Sequence, residues 1–217
     1  MADCGYISED DFIVVNTKKH PTIDLLKDLV KKNDYIKNCK SNKKKDPSSL
    51  SYLIKRDMSQ SDCIKLGTGV EKLVTDIVLK CSSLENIKPK NVKDQKERDH
   101  LFIDKQAKIV YYAELKANIN LDTEKSKATY TKCLEIVKEL QKEFPDYTIK
   151  WCLLAYRWID NDYITLTIKK KYLKISENLF GINEYFEMLG IKLDFTEESY
   201  MSFLNTIADE MFTDSSL

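Results

Sequence analysis

A chain of 217 residues can build one substantial hydrophobic core and little more. Apolar residues make up 42% of it, which excludes disorder along the whole chain. The 35 lysines and arginines balance 35 aspartates and glutamates, so no overall basic charge marks a nucleic-acid partner, although charges segregated by face can still form a basic cleft.

The N-terminus, MADCGYISEDDF, is acidic and has no apolar run, so no signal peptide is expected there. Residues 20–32 carry Ile23, Leu26 and Val30 with Leu25 and Leu29 beside them, which predicts a helix. Residues 38–46, NCKSNKKKD, read as a basic polar loop, ordinarily solvated, with phosphate contact as the alternative. A short helix is predicted over 48–56, after Pro47. Val70, Leu73, Val74, Ile77 and Val78 form the apolar stripe of a helix over 69–81, with Glu71 near its start. Residues 82–97 are polar and basic and read as a loop.

Residues 98–118, RDHLFIDKQAKIVYYAELKAN, read as a β-hairpin. A long helix follows from about Glu124 to Glu143, capped by Asp122 or Thr123 and ended by Pro145. Its apolar face holds Tyr130, Cys133, Leu134, Val137, Leu140 and Phe144. A buried strand is predicted over 148–159, TIKWCLLAYRWI, and a further strand over 163–168. Two helices close the chain, over 182–189 and 197–212. Strand, helix and strand in the middle predict an α/β fold with a central mixed β-sheet, a crossover and flanking helices. Residues 1–217 read as one domain, its core at about 69–159 between helical N- and C-terminal flanks.

None of the six cysteines forms a C-x-x-C pair, and the two histidines are far apart. Reduced, partly buried thiols are expected rather than a zinc site or a disulfide framework. No stretch approaches about 20 apolar residues, so no membrane span is expected and the protein reads as intracellular.

The hairpin carries the chemistry. Pairing around the polar turn 105–108 sets Asp104 opposite Ile109, Ile103 opposite Val110, Leu101 opposite Tyr112 and Asp99 opposite Glu114. Opposed residues share a face with Cβ atoms about 5 Å apart, so Asp99 and Glu114 converge, and Lys116, two residues on, joins them. Asp104 lies five residues from Asp99, about 16 Å along the strand, and points to the other face. A one-residue slip would reverse these faces. Two carboxylates this close repel unless a cation sits between them, and Mg²⁺ needs only one or two carboxylates besides water and phosphate oxygens. Lys116 could orient a water whose pKa the metal lowers. The alternative is an ordinary hairpin whose charged end is solvated and salt-bridged.

Asp99, HLFID–KQAK–IVYYA and Glu114-Leu115-Lys116 together resemble the PD-(D/E)xK nuclease superfamily, and within it a small type II restriction endonuclease. The run after the hairpin resembles the helix that follows the catalytic strand, and 148–159 the next core strand. The resemblance implies a restriction-endonuclease-like core, with Asp99, Glu114 and the Leu115 carbonyl as metal ligands and Lys116 positioning the attacking water. Glu71 would fill the role of a helical glutamate found in many members; a surface residue is the alternative. Arg98 stands where the family name has proline.

His100 reads as a strand-filling residue that faces away from Glu114, not as a general base. Asn118, Asn120, Lys125, Ser126 and Lys127 are placed to meet phosphates or base edges, with a helix cap and a solvated face as the alternative. Trp151, Tyr156 and Trp158 read as core, and Arg157 fits either a DNA contact or an ion pair. The function expected is Mg²⁺-dependent type II restriction cleavage of double-stranded DNA at a short sequence, by a homodimer and with no small-molecule cofactor. A structure-specific or repair nuclease is the alternative within the superfamily, and a non-catalytic α/β binding module the alternative outside it.

Overall fold

A computed structural model describes residues 23–33, 60–89, 97–193 and 195–212. The basic run at 38–46 and the helix predicted over 48–56 lie outside the described residues. Helix α1 spans Ile23–Lys32 and buries Leu26 and Val30. Helix α2 spans Gln60–Cys81, beginning nine residues before the predicted start at Gly69. Gly67 and Gly69 did not stop it, because glycine inside a helix is only about 1 kcal/mol worse than alanine. Val70, Leu73, Val74, Ile77, Val78 and Cys81 are its buried stripe.

Five strands form one mixed sheet in the order β1-β2-β3-β4-β5: Glu85–Asn86, His100–Asp104, Ile109–Lys116, Thr148–Ala155 and Leu179–Phe180. β1, β2 and β3 are antiparallel neighbours, whereas β3, β4 and β5 run parallel. The hairpin pairs in the predicted register, from Asp104 with Ile109 to His100 with Ala113. Asp104 accepts the Ala107 N–H at 2.8 Å and so braces the turn, in which Lys108 takes a φ of 53°.

Helix α3, Thr123–Glu143, is the crossover between β3 and β4. Asp122 caps it by accepting the Lys125 N–H at 2.8 Å. Its Cys133, Ile136, Val137 and Leu140 cover one face of the hairpin, made of Leu101, Ile103, Val110 and Tyr112. The opposite face, with Phe102, Tyr111, Ala113, Leu115, Cys152 and Leu154, packs on α1, α2, α5 (Ile182–Met188) and α6 (Glu197–Phe212). β3 is therefore covered on both sides, which explains its near-continuous apolar composition.

Residues 163–168 are not a strand. A 3-10 turn at Asn161–Tyr163 leads into helix α4, Leu166–Lys171, whose N-cap Thr165 accepts from Ile168 N–H. The isoleucine and leucine at 164, 166 and 168 suggested alternation, but Leu166 is exposed, while Ile164, Ile168 and Tyr172, four apart, are buried. The period is helical. β4 stops at Ala155 instead of Ile159, because the chain turns there and the Trp158 N–H closes onto the Ala155 carbonyl at 2.9 Å.

Tyr156 is core, and Trp151 and Trp158 pack half-buried against the cluster around Ile164 and Tyr172. Cys81, Cys133 and Cys152 are buried free thiols. Among the described residues, no helix is long and apolar enough to cross a membrane.

Candidate active site at the base of the hairpin

Asp99 lies one residue before β2, beyond the last ladder pair. Its Oδ2 accepts the Leu115 N–H at 2.8 Å, which carries the hairpin register onward and keeps Asp99 beside Glu114. Arg98 is only 5% exposed and grips Glu143 with two guanidinium bonds of 2.9 and 2.7 Å. This fork ties the start of β2 to the last turn of α3. Arg98 thus anchors the strand that presents Asp99.

Glu114 is 1% exposed and faces α3 from the C-terminal end of β3. Lys116 Nζ donates to its Oε1 at 2.8 Å, and Lys132 Nζ reaches both oxygens, at 2.9 and 2.7 Å. The Tyr112 hydroxyl donates to Oε2 at 3.2 Å. Lys132 was missed in the sequence. It precedes Cys133 at the edge of the apolar stripe of α3, and that was the available signal: once α3 covers the Glu114 face, a lysine flanking the stripe meets the carboxylate.

The electrostatics are those of a strained acid pair. Burial, followed by repulsion from Glu114, pushes the Asp99 carboxyl up to about 6, while the Leu115 N–H, Lys132 and Lys116 pull the other way. Burial draws Lys116 down, but Glu114 and Asp99 outweigh it and the net shift is upward. Lys116 is therefore an ammonium, able to donate to a water and not to take its proton. Burial, then Glu114, raises the Cys133 thiol to about 12, so it is no nucleophile.

The sheet separates Glu71 and His100 from this cluster. His100 points to the opposite face, towards α2, where it is buried between the Tyr185 hydroxyl at 2.8 Å and the Glu71 carbonyl at 2.9 Å. It fills the strand as expected. The Glu71 carboxylate pairs with Lys88. The helical turn bearing Glu71 thus docks on His100 through its main chain, and its carboxylate is engaged by Lys88 and not by the Asp99–Glu114 cluster.

Burial lowers the His100 imidazole to about 4, against an ordinary value of 6.5; the Glu71 carbonyl opposes this and Lys88 adds to it. The folded state holds the neutral ring. The resulting stability is complete above about pH 6.5 and is lost as pH falls towards 4, about 3 kcal/mol in all. Urea unfolding at pH 7 and pH 4.5 should show a loss in the wild-type protein that is smaller in His100→Gln. Equal losses in both would remove this assignment.

The loop after β3 is internally tied. Asn118 accepts the Asn120 N–H at 2.9 Å, and Lys171 donates to the Asn120 amide oxygen at 2.8 Å and to the Leu121 carbonyl at 2.7 Å. Asn118, Asn120, Lys125 and Lys127 are exposed. Ser126 is not: it is fully buried and its hydroxyl donates to the Asp122 carbonyl at 2.8 Å, so it braces the first turn of α3 and does not face a phosphate.

Among the described residues, no group of three or more His, Cys, Asp or Glu side chains is placed to hold a metal ion. The donor set is two carboxylates, Asp99 and Glu114, with the Leu115 main chain beside them. Carboxylate oxygens are the donors Mg²⁺ takes, with few protein ligands and retained waters, and here Lys116 and Lys132 already hold the Glu114 oxygens. Comparison with known proteins finds no match to this chain, whether a protein-family model, a curated protein or a solved structure.

Proposed function

We propose that this protein is a Mg²⁺-dependent endonuclease of the PD-(D/E)xK kind, cleaving double-stranded DNA at a short specific sequence as type II restriction enzymes do. The observation that carries the reading is the convergence of Asp99, Glu114 and Lys116 on one covered face at the end of β3. Asp99, Glu114 and the Leu115 carbonyl would hold the metal. Bound there, Mg²⁺ supplies a water of lowered pKa and offsets charge developing on the phosphate. Lys116 would orient the attacking water, and Arg98 fixes the start of the strand that presents Asp99 through its fork to Glu143. Asn118, Asn120, Lys125 and Lys127, exposed beside the catalytic strand, would meet the DNA. Cutting both strands of a symmetric site calls for a homodimer.

Plasmid DNA incubated with the protein and Mg²⁺ should give discrete fragments. EDTA should abolish them, and Lys116→Ala should slow cleavage by about a hundredfold or more. Cleavage confined to branched or damaged DNA would replace the restriction reading with a repair nuclease. No cleavage of any DNA, together with no divalent-cation binding, would sink the catalytic reading.

A further inference from the structure

Glu114 has no acceptor position to spare. A carboxylate offers about four lone-pair sites. Oε1 accepts from Lys116 and Lys132, and Oε2 from Lys132 and Tyr112. A divalent cation can reach this carboxylate only if a donor leaves. Tyr112 is fully buried in the core under α3 and cannot move far. Lys116 is held to the site by its place on β3 itself. Lys132 differs from both. It comes from a separate element and spans both oxygens of the carboxylate where a cation would bind, whereas Lys116, exposed to a similar degree, holds only Oε1.

We propose that Lys132 is the resident counter-ion of Glu114, competing with the divalent cation for that carboxylate and withdrawing to the site's open side when the cation binds. There its ammonium would be free to meet a substrate phosphate. The inference rests on the proposed metal site. It assigns a role to a residue of α3 outside the acid-acid-lysine pattern. In the metal-free protein Lys132 offsets the charge of a buried glutamate; in the loaded protein the same positive charge becomes available to substrate.

The test is Mn²⁺ binding by titration calorimetry without DNA, on the full chain. Lys132→Gln, which removes the competing charge and keeps an amide donor, should bind Mn²⁺ about five- to tenfold more tightly than wild type. Lys132→Arg should bind like wild type, and so should Lys138→Gln, which removes an exposed lysine further along α3. Unchanged or weaker binding by Lys132→Gln, with clear binding by wild type, overturns the role of Lys132 and leaves the metal site standing. No binding by either protein overturns both.

A second measurement needs no variant. Acetylation of Lys132 by an amine-reactive ester, read by mass spectrometry, should rise several-fold when Mn²⁺ is added, with Lys138 unchanged. Labelling of Lys132 that ignores Mn²⁺ refutes the displacement.

Discussion

Asp99→Asn is expected to make the protein more stable and inactive. In the folded state the Asp99 carboxyl is raised to about 6 from an ordinary 3.8, chiefly by burial and then by Glu114. A raised acid stabilises the fold only while protonated: its contribution is present below about pH 4 and is lost as pH rises through 6. At about 1.4 kcal/mol per unit, the charged carboxylate costs about 3 kcal/mol near pH 8. Asparagine is uncharged and can still accept the Leu115 N–H through its amide oxygen. Asp99→Asn should therefore gain about 1–3 kcal/mol at pH 8 and almost nothing at pH 4, read by urea denaturation. Plasmid cleavage should fall by about a thousandfold or more.

Cation binding gives the matching sign. On the proposed metal site, Mg²⁺ should raise the melting temperature of wild type, and should do so less in Asp99→Asn. Asp104→Ala is the control, since Asp104 braces a turn at the far end of the hairpin and should be dispensable for cleavage. A destabilised Asp99→Asn at pH 8 would mean that Asp99 is a structural partner of its lysines and not a strained ligand. An inactive Asp104→Ala would undo the choice between the two acids.

The hairpin was legible because several local signals agreed. A polar four-residue turn fixes the register, and the two-residue period of a strand then fixes which side chains share a face; with both faces of β3 apolar, the turn and not the hydrophobic pattern decides between registers. The same parity set His100 apart from Asp99. It could not say which helix covers which face, and that is why Glu71 stayed open as a site residue: α2 packs on the His100 side, and only the tertiary arrangement shows it. Lys132 was hidden for the same reason, being one of many lysines until α3 was laid on Glu114.

Residues 163–168 misled because isoleucine and leucine at 164, 166 and 168 satisfy both a period of two and a spacing of four; the exposure of Leu166 decided between them. The strands of two residues, β1 and β5, carry too little pattern to be read. Arg98 reads as one more charge in the sequence, yet its fork to Glu143 links both ends of the site, the strand that presents Asp99 and the helix that brings Lys132.

Glu114 should prove the most expensive residue of the cluster to remove. Glu114→Ala leaves the ammonium groups of Lys116 and Lys132 facing each other across a vacated, largely buried space, and strips the Tyr112 hydroxyl of its acceptor. Breaking a buried pair by deleting one partner typically costs about 3–5 kcal/mol, a large part of the stability of an ordinary domain. Glu114→Gln keeps an acceptor for Tyr112 and one lysine, and should lose less. Removing Lys132 together with Glu114 relieves the exposed repulsion, so Glu114→Ala with Lys132→Met should be more stable than Glu114→Ala alone. Urea denaturation of wild type, Glu114→Ala, Lys132→Met and the double variant completes the cycle. Strict additivity would show that Lys132 and Glu114 do not act on one another in solution. A favourable coupling is what the two short bonds from Lys132 require, because a lysine that holds both oxygens of a glutamate buried beneath α3 becomes a liability once that glutamate is gone.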